Sequence, residues 1–135
     1  MKKLAKQISL MFAAGVLGAL INSLVVWVFG AKGITPGFGV HIAPALTAKW
    51  LYPRLVWGGL WGFLFLFPLL ESRVFTRGLV LSLGPSLVQL FIIFPKIVGK
   101  GYLGIELGAL TPVFVLLFNA IWGLVTALWL KWTDK

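Results

Sequence analysis

The chain has 135 residues, 60% of them hydrophobic and 11% charged, with twelve Lys and Arg against three acids, Glu71, Glu106 and Asp134. So few charges exclude a fully water-solvated surface for a domain of this size, and basic residues scattered to the ends of apolar stretches lack the basic stripe of a nucleic-acid binder. Cysteine is absent and His41 is the single histidine, which excludes disulfides, thiolate nucleophiles and the usual zinc sites.

Four apolar stretches follow in order, Ile8–Phe29, Pro53–Leu70, Val74–Phe94 and Pro112–Leu130. Each approaches the roughly 20 residues that an α-helix needs to cross about 30 Å of hydrocarbon. The pattern predicts an all-α membrane protein with four transmembrane helices in one integral domain, 1–135. The basic start, Met1-Lys2-Lys3 with Lys6, has the look of a secretory signal. Its apolar run, however, continues to about Gly30, past the ~7 to 15 residues of a signal core, without a small-x-small cleavage site. We expect a retained first helix.

The segment Lys32 to Tyr52 is too polar to cross and too apolar for an ordinary loop. Gly33, Pro36, Gly37 and Gly39 break its beginning, and Ile42, Leu46 and Trp50 recur at helical spacing between His41 and Leu51. This predicts one short interfacial helix after the first span, with Trp50 and Tyr52 at the depth aromatic rings favour. Pro53 is then expected as the first residue of the second span, where its missing N–H is harmless. Glu71-Ser72-Arg73 leaves a tight hairpin, and Thr111-Pro112 makes an N-cap and first-turn pair for the last span.

A cytoplasmic amino terminus puts Lys2, Lys3, Lys6, Arg73, Arg77, Lys131 and Lys135 inside, and Lys32, Lys49, Arg54, Lys96 and Lys100 outside. Seven against five favours both termini in the cytoplasm. The chain also compares with itself. Pro44-Ala45-Leu46-Thr47 is similar to Gly108-Ala109-Leu110-Thr111, and Leu60-Trp61-Gly62 to Ile121-Trp122-Gly123. These pairs predict two duplicated hairpins, 8–70 and 74–131, arranged as parallel repeats.

Polar side chains inside spans should face other helices or water. Ser82, Ser86 and Gln89 share a helix face, Gly78 lies one turn earlier, and Pro85 interrupts the middle of the same span. Two readings stand. Ser82, Pro85, Ser86 and Gln89, with Asn22 and Asn119, line a pore or contact a solute at a broken helix; or the hydroxyls bond back to their own kinked helix and the amides bond to neighbours. Gly15, Gly18, Gly58, Gly62 and Gly123 are candidates for close helix packing. His41 and Glu106 precede the two similar Ala-Leu-Thr segments, so they form a candidate proton-responsive pair at the outer face. Alternatively, Glu106 favours a helix start and His41 sits among headgroups.

No carboxylate pair, phosphate-binding glycine loop or metal cluster supports an enzyme, and no cofactor is implied. The first span, the Pro-containing amphipathic stretch, Trp57-Gly58-Gly59-Leu60-Trp61-Gly62, Arg77-Gly78, Gly84-Pro85, Phe94-Pro95 and the glycine-rich approach to the last span form one pattern. It resembles the small YagU-like bacterial inner-membrane proteins, a group of undefined activity, and the resemblance implies a bacterial inner-membrane location. Asn119 stands where a histidine would be looked for in such proteins, so no functional residue carries over. The expected partners are the lipid bilayer and either further copies of the chain or another membrane protein. The expected function is a small oligomeric permeation or transport protein, with an accessory subunit of a larger membrane assembly as the alternative.

Overall fold

The computed structural model describes residues 2–133, and all regular structure among them is helical. Helix α1 spans Lys2–Ala31 and α2 is a single turn, Ile34–Gly37. Helix α3, Ala48–Trp61, runs on into a 3-10 segment, Gly62–Leu66. Helices α4, Val74–Leu81, and α5, Leu83–Val88, continue as a π-helical segment, Gln89–Val98. A 3-10 segment, Tyr102–Leu107, leads to α6, Thr111–Thr133.

Among the described residues three helices, not four, are long and apolar enough to cross a membrane: Lys2–Ala31, Val74–Val98 and Thr111–Thr133. The expected second span falls short. Its α-helical part has 14 residues, carries Lys49 and Arg54, and gives way to 3-10 turns that end at Leu66 rather than Leu70. Such a helix is only about 21 Å long at 1.5 Å per residue.

Two further expectations are corrected beside it. Residues 41–47 have no regular structure, so no separate interfacial helix forms there. The helix starts at Ala48 because Thr47, in an extended conformation, accepts a hydrogen bond from the Trp50 amide at 3.2 Å, the standard N-cap device. Pro53 consequently lies inside α3, not at its first position. The predicted cap of the last span is also different. Thr111 is already inside α6, and its buried hydroxyl has no hydrogen-bond partner among the described residues.

Glycine decides the packing. A Cβ on Gly15 would overlap the Gly58 carbonyl, one on Gly58 would overlap Ala19, and one on Gly62 would overlap the Met11 carbonyl. Rising numbers on α3 therefore meet falling numbers on α1, so the two are antiparallel at backbone contact. The same logic joins α1 to α6, where Gly18 faces Trp122 and Thr126, and α4 to α6, where Gly78 faces Gly123. The spatial order is α3, α1, α6, then α4–α5. Trp122, Phe65, Met11 and Leu81 fill the core at one end, and Val26, Val40, Phe114 and Phe118 fill it at the other.

Proline shapes the third span. Pro85 removes a backbone donor and its ring opposes the carbonyl one turn back, and the α-helix breaks at Ser82 between α4 and α5. Pro95 lies within the π-helical turns. The helix closes where Gly99 turns left-handed (φ 74°) and the Lys100 amide reaches the Phe94 carbonyl at 2.7 Å. At the opposite end of the bundle, Arg77 donates to the carbonyls of Phe65 (2.6 Å) and Phe67 (3.2 Å), satisfying acceptors that the 3-10 segment leaves open.

Candidate functional site

Two groups of polar side chains inside the bundle are joined by one peptide unit. In the first, Asn22 and Ser23 sit on adjacent positions of α1, both buried, where α3 crosses. Arg54 reaches them from α3. Its Nε donates to Ser23 Oγ at 2.9 Å and its Nη2 donates to Asn22 Oδ1 at 2.7 Å. The guanidinium lies 4.7 Å from the centre of the Trp50 ring, a cation–π stack from the preceding turn of the same helix. Asn22 in turn donates through Nδ2 to the Phe118 carbonyl of α6 at 2.5 Å.

The second group begins at the next residue. Asn119 Nδ2 donates to Ser86 Oγ at 3.1 Å and to Gln89 Oε1 at 3.3 Å, tying α6 to α5 and the π-helical segment. The hydroxyls also bond back to their own chain, Ser86 to the Ser82 carbonyl at 2.9 Å and Ser82 to the Leu79 carbonyl at 2.7 Å. A polar seam thus crosses the bundle, from Arg54 through Asn22 to Asn119, Ser86 and Gln89. Pro85, on α5, adds no hydrogen bond to it but is only one residue from Ser86.

A shallow, open depression of about 310 Å³ lies at the Arg54 end, lined by Val26, His41, Ile42, Ala43, Pro44, Trp50 and Arg54. His41 is exposed at this rim. Glu106 is exposed as well, and its carboxylate folds over Gly101. The two loops do meet, because the His41 amide donates to the Leu107 carbonyl at 2.8 Å and Gly108 packs directly on Gly39. Their contact is through backbone. No hydrogen bond or ion pair joins the two side chains among the described residues, nor does any cluster there of three or more His, Cys, Asp or Glu side chains offer a metal site.

The five packing glycines, Gly15, Gly18, Gly58, Gly62 and Gly123, all lie at contacts within the chain. Arg54 and Trp50 are the residues that reading the sequence missed, since one counted only as an external charge and the other as part of an aromatic belt. The available signal was a guanidinium at the start of an apolar run, opposite an Asn-Ser pair in the preceding one. Comparison of the chain with protein-family models, curated proteins and solved structures gives no match.

Proposed function

We propose that this protein is a small integral membrane protein that carries a small solute along the seam from the Arg54 depression through Asn22 and Asn119 to Ser86 and Gln89, working as a homo-oligomer. The observation that carries this reading is the seam itself. Polar side chains are costly within hydrocarbon and collect where substrates or ions must pass, and these end on an open depression lined by a cation. Pro85 interrupts the helix beside the seam, which supplies the local give that such paths use.

The accessory-subunit reading draws less support. Its docking faces were the small-residue stripes, and the stripes of Gly15, Gly58, Gly78 and Gly123 are already occupied by this chain's own helices. Reconstitution into sealed liposomes tests the proposal across ions, protons and small metabolites. Protein-dependent flux that falls at least about tenfold in Asn119→Leu, with the oligomer unchanged by light scattering, is the expected result; a tenfold loss corresponds to about 1.4 kcal/mol of barrier. Permeability equal to that of empty liposomes for every solute class would overturn it.

A further inference from the structure

We infer that the depression beside Arg54 is a binding site for a phosphate-type oxyanion. A charge drawn partly out of bulk water favours a counter-charge or further hydrogen bonds, and half-buried Arg54 has no counter-charge among the described residues, with only Nε and Nη2 hydrogen-bonded there. Its two protein partners, Ser23 Oγ and Asn22 Oδ1, are neutral acceptors. No carboxylate pairs with the guanidinium among the described residues, and the second terminal nitrogen, Nη1, has no acceptor there. That nitrogen belongs to a side chain lining an open depression of about 310 Å³.

The geometry selects the ligand class. Ser23 and Asn22 hold Nε and one edge of Nη2, and Trp50 covers one face of the guanidinium plane. What remains is the edge formed by Nη1 and the second hydrogen of Nη2. Two parallel donors at that edge match two oxygens of one phosphate. The exposed His41 lines the same depression and would supply a second donor to the anion. The other walls, Val26, Ile42, Ala43 and Pro44, are apolar, so the occupant carries its charge at one end and needs no polar partners along its body.

Depth adds a constraint. Asn22 and Ser23 lie about two turns inside the end of the apolar run at Phe29, roughly 10 Å along the helix, which is within reach of a lipid headgroup as well as of a dissolved phosphate. The shared chemistry is the oxyanion, and the site exists whether or not the protein moves a solute.

Binding is measured on the purified full chain in mild detergent. Native mass spectrometry compares dioleoyl phosphatidic acid with dioleoyl glycerol, which differ only in the phosphate, and calorimetry follows inorganic phosphate. We expect wild type to prefer phosphatidic acid over the diacylglycerol by about tenfold or more, or to bind inorganic phosphate, with Arg54→Gln weakening either by about tenfold or more. Phosphatidic acid alone assigns the site to lipid, and inorganic phosphate assigns it to a soluble ligand. Because Arg54→Gln also removes bonds to α1, His41→Glu serves as the second variant. It leaves those bonds in place, sets a carboxylate at the rim and is expected to weaken the same ligand to a similar extent. Binding of neither probe, or binding unchanged in both variants, overturns the assignment. Liposome flux enters none of these readouts, so a failed transport reading leaves this one standing and the reverse holds too.

Discussion

Gly123 and Gly78 show how little room the bundle allows at single positions. A Cβ on Gly123 would overlap the Gly78 carbonyl, and one on Gly78 would lie 2.6 Å from the Gly123 carbonyl. Neither obstacle is a side chain that can rotate away. Gly123→Ala must push α4 and α6 apart, and we expect it to cost about 1–3 kcal/mol in unfolding followed by circular dichroism in mild detergent. Gly37, in α2, has no atom within 4 Å of a built Cβ, so Gly37→Ala is the matched control and should leave the midpoint unchanged. Asn119 behaves differently again, because its amide supplies two side-chain hydrogen bonds across a helix contact. Interhelical bonds of this kind contribute about 0.6–1.7 kcal/mol in membranes, too little for Asn119→Leu to abolish folding, which is why it suits the flux experiment.

Among the elements, α3 departs most from its sequence signature. Its apolar residues were legible, but its start was not, since Pro53 is a strong first-turn residue and Thr47 a strong cap only six positions earlier. The cap prevails. Extending the helix back to Ala48 lets Arg54 stack on Trp50 and reach α1, contacts that a helix starting at Pro53 would lack the preceding turn to make. Thr47→Ala is expected to destabilise α3 by about 0.5–2 kcal/mol, read as faster backbone amide exchange confined to its first turn. In the third span the polar face of Ser82, Ser86 and Gln89 was visible from spacing alone, together with the break near Pro85. That the face points at Asn119 was not visible, because periodicity gives a face without naming its neighbour. The π-helical continuation to Val98 was equally hidden; it depends on how Pro95 and the following turn are accommodated.

At the scale of the whole molecule, antiparallel contacts bring the start of α1 and the end of α6 to one end of the bundle. Arg73 and Lys131 line one shallow cavity there, whereas the loops carrying His41 and Leu107 close the other end. Helix α3 and its 3-10 extension, though too short and too charged to count among the apolar spans, return the chain from one end to the other. Reporter tags fused to the two ends of this sequence should therefore fall on the same side of sealed vesicles, and the seven-to-five excess of basic residues makes the cytoplasmic side the expected one. Protease access to one tag with protection of the other would mean that α3 does not carry the chain across.

Composition and hydrophobic pattern alone determined that the chain is helical and that most of it is suited to lipid, because hydrocarbon demands internally satisfied backbone and tolerates few charges. They also marked the glycines and buried amides as contact residues, since small and polar side chains have few other uses at such positions. Only the tertiary structure decided which contacts those are. Pairing Gly15 with Gly58 draws α3 against α1, and that approach brings Arg54 beside Asn22 and Ser23, thirty or more residues away along the chain. A guanidinium with no carboxylate partner among the described residues, facing an open depression, arises from helix register, and register depends on the sum of many close contacts that no local spacing encodes.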